Sequence, residues 1–421
     1  YHQHQTTWCV TERTAGATEA RDVAVGYWRP TGFHFDARDL YTGARIVAQV
    51  PENALAMNAN YTLGNTALAL LAFLGAGHTP TQGEYADTVA RTVEWLRLQQ
   101  APSGRFGLLD LRNPTLTLDR TQPGAPQPAE AAYGRENLYN HSLAILALAE
   151  ALVLTGNEAL RPAVRAGVRY TLATQSRQGA WDYDSRANRN DTSIMSWALL
   201  SLKAAEAAGI EIPRSTYLRV IHHIQRVTPP DGRTYYDDQL GTSRRGAYTG
   251  QGTGMLATSV LARMMLGEPR DSDMLARQVA LLVRDLPDNA KRRAEFEMPV
   301  ENPVQNYYAW YVGTLAMFFH GGAEWRQWNS VTRDTILAAQ TTTGQMRGSW
   351  DTESRYAYAG GRIYSTALMV LTLEIYYRYS PTHWIAAAQT YERFWDDKQL
   401  YAVLGPELRR SRDLLLGPVR R

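Results

Sequence analysis

The chain has 421 residues, of which 44% are hydrophobic and 20% charged, and its net charge is +3. These values are ordinary for a globular protein with a sizeable core, and the charge is too small to predict a nucleic-acid partner. The single cysteine, Cys9, excludes an internal disulfide and a cysteine-rich metal site. No apolar run reaches the ~18 residues that span a bilayer, so the sequence predicts no transmembrane segment.

Residues 1–57 differ from the rest of the chain. Val23–Trp28 and Ile46–Val50 are short β-favouring runs between Gly, Pro and Asp residues. They predict an extended, partly β N-terminal arm that packs on the outside of the main body. The chain begins at Tyr1 rather than Met, which is consistent with removal of an upstream signal or anchor. Export or envelope association after N-terminal processing is therefore the expectation, although the sequence leaves the compartment open.

From residue 58 to residue 395, helices of two kinds alternate. Six predicted helices are apolar on every face, which is typical of buried helices: Asn65–Gly77, Asn140–Gly156, Asp191–Gly209, Gly252–Gly267, Asn306–Gly321 and Ser365–Tyr379. Each is followed by an amphipathic helix with a single apolar face: Tyr85–Gln99, Leu160–Gln175, Ser215–Gln225, Ser272–Val283, Glu324–Gln340 and Thr382–Phe394. A unit that recurs six times predicts a repeat architecture.

The first and last apolar helices are as apolar as the middle ones. An open solenoid would carry polar, capped ends, so the simplest arrangement is a closed ring. We predict an all-α fold, an (α/α)6 toroid over residues 58–395, with parallel inner helices and antiparallel outer helices. Residues 396–421 form a basic C-terminal tail.

Three loops between units repeat a Gln–Gly–aromatic pattern. They contain Gln100, Gly104 and Phe106; Gln175, Gly179 and Trp181; and Gln340, Gly348 and Trp350. A glutamine amide can bond unsatisfied backbone groups at a helix end, and glycine supplies a positive φ. These loops therefore predict contacts that hold successive units together, with a direct ligand role as the alternative.

The repeats resemble the Gln–Trp motifs of squalene–hopene and oxidosqualene cyclases, whose helix-pair toroid is shared by protein prenyltransferase β subunits. The resemblance covers roughly residues 58–395 and implies the toroid without fixing an activity. The cyclases protonate their substrate with Asp-x-Asp-Asp-Thr, and the matching stretch here is Asn188–Thr192. Asn190 replaces the proton donor, and an amide cannot deliver that proton. Asp191 remains, and it is also a good helix N-cap.

The prenyltransferase zinc site is not predicted either. Tyr364–Ala367 resembles that family's Tyr-His-Thr-Cys motif but has Ser365 in place of the histidine and Ala367 in place of the cysteine. Without a thiolate and an imidazole, a soft-ligand zinc site has no basis. We therefore predict no metal and no cofactor.

In a toroid, the loops that enter the inner helices gather at one end, here called the mouth. Convergent polar groups above an apolar bore are typical of a ligand site. The catalytic candidates are Asp191, Asp184 and His141. The ligand-binding candidates are Asp182, Tyr183, Tyr139, Asn140, Tyr235, Asp237, Asp238, Arg244, Arg245 and Asp351. Helix caps and solvated loop charges are the alternative interpretation of several of them.

The triplet Tyr139–Asn140–His141 favours a saccharide. Histidine and tyrosine are proton-transfer groups, asparagine and arginine could neutralise a uronate carboxylate, and nearby aromatic rings could stack on sugar faces. Some polysaccharide lyases and hydrolases use such groups in α/α toroids. The alternative is that His141 is a buried structural residue, because it lies one step into an inner helix.

Three functional hypotheses follow. The leading one is a cyclase-like toroid without the standard catalytic acid, which binds an isoprenoid, lipid or saccharide ligand or a protein partner. The second is a non-standard enzyme: either a terpenoid cyclase that uses Asp182, Asp184 or Asp191, or a carbohydrate-active lyase or hydrolase. The third is a structural subunit that docks through its N-terminal arm or C-terminal tail.

Overall fold

The computed structural model describes most of the repeat region and short parts of the remainder. The described residues are 6–14, 21–27, 37–38, 45–46, 61–109, 119–120, 129–185, 189–238, 253–287, 306–344, 346–352, 357–378, 391, 394–396, 398–400 and 402–405. The predicted C-terminal tail falls largely outside these residues, and so do Arg244 and Arg245. The sixth predicted outer helix, Thr382–Phe394, is also outside them except for two residues.

The main body consists of alternating inner and outer helices. The inner helices are α1 (Thr62–Gly75), α3 (Leu138–Thr155), α5 (Thr192–Ala207), α7 (Thr253–Met265), α9 (Tyr307–His320) and α11 (Ala357–Leu373). The outer helices are α2 (Ala86–Leu98), α4 (Arg161–Thr174), α6 (Arg214–Arg226), α8 (Asp273–Arg284) and α10 (Gly322–Ala338), and a short helix α12 (Ile375–Arg378) follows α11. Helix α11 is kinked at Gly361.

The inner helices form a closed ring. Each contacts the next along the chain, and α11 also contacts α1. Almost every side chain of the inner helices is buried, from Leu63 in α1 to Leu371 in α11, because a ring encloses them on all sides. The predicted (α/α)6 toroid is therefore confirmed, and five of its six outer helices lie within the described residues.

A buried ion-pair group closes the ring at the end opposite the mouth. The Arg378 guanidinium donates to the backbone carbonyl of Leu71 in α1 and to the Glu150 carboxylate in α3, and it lies 3.7 Å from Glu374. One cation thus faces two carboxylates. The Glu374 carboxylate also lies against Gly75, where a Cβ would be 2.1 Å from its Oε2 atom. Burial, with the nearby Glu150 charge, raises the pKa of Glu374 to about 8.

The Gln–Gly–aromatic loops join successive units, as predicted. The Gln100 amide donates to Gly104 O at 3.1 Å and to Ala163 O, in the first turn of α4, at 2.8 Å. The Gln175 amide repeats this arrangement, with Gly179 O and Thr216 O of α6 both at 3.0 Å. Each glutamine therefore links its own loop to the first turn of the next outer helix.

The aromatic and glycine positions of these loops have equally regular contacts. The Trp181 indole donates to Thr171 O at 2.8 Å, and the Trp350 indole to Ile336 O at 2.7 Å. In each case the acceptor lies four residues before the loop glutamine. Gly179 has φ of +114°, and a Cβ there would meet Arg219 O at 1.8 Å. Glycine is thus required both by its φ and by close approach to the next outer helix.

The N-terminal region contains the strands β1 (Thr6–Thr14), β2 (Arg21–Tyr27), β3 (Ala37–Arg38) and β4 (Arg45–Ile46), and β5 (Asp119–Arg120) follows α2. Strand β1 pairs antiparallel with β2 and parallel with β5, and β3 pairs with β4. Strand β2 packs against α2 and β3 against α11. The described part of the arm is thus β-structured and contacts the outer helix of the first unit; its predicted boundary at residue 57 stays a prediction.

One described helix, α3, is long and apolar enough to cross a membrane, and 72% of that segment is buried inside the protein. Its place in the inner ring accounts for its apolar composition, because an inner helix has neighbours on every face.

We expect Glu374→Gln to remove a pH-dependent contribution to stability. The folded-state pKa of Glu374, about 8, lies above the 4.5 of an ordinary glutamate, so the folded protein binds this proton more tightly. The free energy of unfolding should therefore fall as pH rises from 4.5 through 8, by up to about 1.4 kcal/mol per pH unit. Denaturant unfolding at several pH values should show a flatter dependence for the variant, and parallel curves would contradict the assignment.

We expect Gly179→Ala to destabilise the protein by at least about 3 kcal/mol, because the backbone of α6 must move as well as φ. Gly77→Ala is the matched control: its φ is +84°, but nothing lies within 4 Å of an added Cβ, so the cost should be only about 1 kcal/mol. Chemical denaturation of the two variants compares them directly. Equal losses would show that positive φ alone explains the requirement for glycine at residue 179.

Candidate functional site at the toroid mouth

The N-terminal ends of the parallel inner helices face the mouth. Side chains cap three of them: Asn137 accepts from backbone amides at the start of α3, Asp191 at the start of α5 and Asn306 at the start of α9. The mouth loops are also joined through their backbones. Asp191 N donates to Trp181 O at 2.8 Å, and Thr192 N donates to Tyr236 O at 2.9 Å.

Asp191 is wholly enclosed by the mouth loops. One carboxylate oxygen accepts from the backbone amides of Ser193 and Ile194 at 2.9 and 3.0 Å and from the Ser193 hydroxyl. The other oxygen accepts from Arg189 at 3.1 Å. Burial raises the pKa of Asp191, against the opposing effect of these hydrogen bonds. The predicted N-cap role is confirmed, and no oxygen of this catalytic candidate faces solvent.

Arg189 is the centre of an acidic cluster. Its guanidinium donates to Asp182 at 2.7 Å as well as to Asp191, and it lies 3.6 Å from the carboxylate of Asp237. The three acids are 7%, 0% and 1% exposed, respectively. The cluster therefore brings together three predicted site residues, but it holds the loops of two units together rather than offering them to a ligand.

Tyrosines cover this cluster on the mouth side. Arg189 lies over the rings of Tyr183 and Tyr236, whose hydroxyls are 2.8 Å apart. The ring of Tyr139 packs against Tyr183, and its hydroxyl is hydrogen-bonded to Ser193. Burial raises the pKa of Tyr139 well above its ordinary value, so this phenol keeps its proton at neutral pH.

Asn190, which stands where the cyclase motif has its proton donor, has a structural role. The Asn190 amide donates to Asp238 at 2.7 Å, and its carbonyl accepts from Ala180 N at 3.0 Å and from the Ser176 hydroxyl. Asn190 is 1% exposed. Asp238, a predicted ligand-binding residue, is thus engaged in fixing this loop.

His141 does not reach the mouth surface. It is 1% exposed; its Nδ1 accepts from Phe106 N at 3.1 Å, and its Nε2 is 3.0 Å from the Thr171 hydroxyl. Burial lowers its pKa to about 3. The structure therefore favours the buried structural interpretation of His141 over proton transfer with a ligand.

The remaining predicted residues are dispersed. The Asn140 carbonyl accepts from Gly64 N at 3.2 Å, which joins α3 to α1. The Tyr235 side chain is partly buried against the core. Asp351, in the fifth loop, accepts from Arg362. These three residues do not join the Arg189 cluster.

Aromatic side chains link α5, α7 and α9 on the inside of the ring. Trp197 and Tyr311 stack with ring centroids 5.8 Å apart. The Tyr308 hydroxyl is 2.9 Å from Ser196 Oγ and 3.0 Å from Thr258 Oγ1. Helices α5 and α9, which are not neighbours along the chain, are thus joined through buried side chains.

A cleft of about 620 Å³ opens beside the mouth, between the first and second units. Its lining residues are Arg105, Ala131, Gly134, Arg135, Glu136, Tyr170, Asp184 and Ser185. Two of the segments that line it, 134–136 and 184–185, are held close together, because Leu138 N donates to Tyr183 O at 3.0 Å. Asp184 is the catalytic candidate that the structure places in an open cavity.

Glu136 has a fixed orientation in this cleft. Its two carboxylate oxygens accept from the Tyr170 hydroxyl at 2.7 Å and from the Ser185 hydroxyl at 2.9 Å. Burial and the bond to Glu136 raise the pKa of Tyr170 to about 12, so this phenol remains a donor. Both carboxylate oxygens of Glu136 are thus engaged by hydroxyl donors.

Sequence reasoning missed Glu136, Arg135, Arg105 and Tyr170. Glu136 and Arg135 belong to no repeated motif, and Tyr170 lies on an outer helix. The one available signal was the position of Arg135 and Glu136 directly before the cap of an inner helix, where mouth loops converge. No group of three or more His, Cys, Asp or Glu side chains among the described residues is placed to hold a metal ion.

No protein-family model matches the sequence, and no curated protein matches it significantly. The fold does resemble solved structures. An unsaturated glucuronyl hydrolase from Bacillus sp. GL1, responsible for glycosaminoglycan degradation, superposes with a TM-score of 0.50 at 13% identity, over 87% of this chain and 90% of that one. A D-mannose isomerase superposes with a TM-score of 0.49 at 13% identity, over 83% of this chain and 90% of that one. For a family 76 glycoside hydrolase from Bacteroides thetaiotaomicron, the TM-score is 0.48 at 8% identity, over 89% of this chain and 84% of that one.

At these identities the likeness concerns the fold alone. The match to the glucuronyl hydrolase supports the toroid that the Gln–Trp repeats implied. These structures are not of the squalene–hopene cyclase family, so the resemblance to that family is supported only as far as the helical ring.

We expect His141 to stay neutral down to about pH 3, because its folded-state pKa is lowered from 6.5 by burial. Its NMR resonances, assigned with His141→Gln, should not titrate between pH 5 and 8. The unfolded state binds this proton more tightly, so the free energy of unfolding should fall as pH drops from 6.5 towards 3. A midpoint near pH 7 would return His141 to the catalytic candidates.

Proposed function

We propose that this protein binds a saccharide in the cleft beside the toroid mouth and cleaves a glycosidic bond there. The observation that carries the proposal is the presence of two carboxylates, Glu136 and Asp184, in one open cleft. Cleavage of a glycosidic bond commonly uses such a pair, one group as a proton donor and the other as a base or nucleophile.

The environments of the two acids suggest different roles. Both oxygens of Glu136 accept hydroxyl hydrogen bonds, which orient the carboxylate for the role of base or nucleophile. Asp184 lies on the other lining segment and is partly exposed, so a bound saccharide can reach it, and we assign it the second role, that of the proton donor. The buried Arg189 cluster supports this site indirectly, because it anchors Asp182 and Tyr183 immediately before Asp184.

The cleft suits a polar ligand better than an isoprenoid. A volume of about 620 Å³ lies within the range of small-molecule sites. The exposed Arg135 guanidinium and the Tyr170 and Ser185 hydroxyls line this cleft, and such polar groups can hydrogen-bond a sugar. The glucuronyl hydrolase that shares this fold acts on a saccharide, which agrees with the proposal without assigning residues.

The cyclase-like interpretation has less support. Asp191 is its remaining acid, and this side chain is fully buried with both oxygens hydrogen-bonded. A cyclase acid must reach its substrate. The binding-protein interpretation, where its ligand is a saccharide, differs from the present proposal in lacking catalysis.

We expect Asp184→Asn to lower the rate of glycoside cleavage about 100- to 10,000-fold, the range for loss of a general acid. The assay measures release of reducing ends from a panel of oligosaccharides, and calorimetry measures their binding. The amide keeps the size of the side chain, so saccharide binding should persist.

Asp231→Asn is the control, because Asp231 is an exposed acid in another loop, and it should leave cleavage unchanged. Full activity of Asp184→Asn would refute the assigned role. Saccharide binding without cleavage by the unsubstituted protein would support an accessory binding protein, and no binding of any panel member would refute the proposal itself.

A further inference from the structure

Four charged side chains line the cleft: Arg105, Arg135, Glu136 and Asp184. Both oxygens of Glu136 already accept hydroxyl hydrogen bonds, from Tyr170 and Ser185. A guanidinium in this cleft that no acid engages would favour an anionic group on the ligand.

The two arginines are held differently. Arg105 is 5% exposed, and its guanidinium donates to Gly134 O at 3.3 Å, so this group is already bound to the backbone of the cleft. Arg135 is exposed, and among the described residues it makes no ion pair or side-chain hydrogen bond. Arg135 is therefore the guanidinium that can turn its donors to a ligand without breaking an existing contact.

We propose that the saccharide is acidic and that Arg135 is the specificity-determining residue that binds its carboxylate. The planar guanidinium matches a carboxylate in two parallel hydrogen bonds. This inference rests on the proposed saccharide site, and it adds the charge of the substrate and the residue that selects it.

The test compares oligogalacturonates and oligoglucuronates with their methyl esters, which keep the sugar skeleton and lose the charge. Calorimetry on the full chain should give at least tenfold tighter binding of the acids than of the esters. In Arg135→Gln, the affinity for the acids should fall about ten- to a hundredfold, to the level of the esters. The affinity for the esters should not change.

Arg177→Gln is the matched control. Arg177 is an exposed arginine in the neighbouring Gln175–Trp181 loop and does not line the cleft, so both ligand classes should bind it as they bind the unsubstituted protein. A sulfated neutral oligosaccharide forms a further arm: stronger binding than the uronates would overturn the carboxylate assignment.

The inference and the proposed function can fail separately. Equal affinity for acids and esters, or equal losses of both in Arg135→Gln, would overturn the acidic-ligand inference while leaving the saccharide site in place. If acids, esters and neutral sugars all fail to bind, the saccharide site is refuted, and the inference falls with it.

Discussion

The architecture depends on one repeated hydrogen-bonded joint. At the end of an outer helix, a glutamine amide bonds the carbonyl of its own loop glycine and a carbonyl in the first turn of the next outer helix. The joint restricts how successive units pack, because the glycine backbone lies directly against the next helix. It is complete at Gln100 and Gln175, where it links the first three units. The ring then buries helices that are apolar on all faces, which an open row of units could not do.

Much of this fold could be predicted because its determinants are local and repeated. The alternation of fully apolar and amphipathic helices indicates which helices lie inside the ring. Gln175 and Gln100 occupy the same place in their units, at the end of an outer helix and four residues before a glycine. The contact between the last unit and the first, made by Arg378, could not be predicted in this way. Arg378 reaches Leu71 and Glu150 across units that are remote in sequence, and nothing in the pattern around Arg378 marks it as their partner.

The site was predicted less well than the fold, for a physical reason. Sequence reasoning placed Asp182, Asp191 and Asp237 at the mouth, and they do meet there. It could not show that one arginine, Arg189, would bury all three. Whether an acid serves a ligand or the fold depends on which cation reaches it and on how much solvent remains, and both are set by tertiary packing. Asp184, two residues from Asp182, instead lines the cleft.

The contact that closes the ring also affects the order in which the protein can fold. The contact between Arg378 and Leu71 joins residues 307 positions apart, whereas the glutamine joints connect neighbouring units. During synthesis from the N-terminus, the early units can form their joints at once. Helix α1, however, has no partner on one side until the sixth unit is complete. An incomplete ring therefore exposes an apolar face of α1 for most of its synthesis. Until the sixth unit packs on that face, it can associate with other chains unless another molecule covers it.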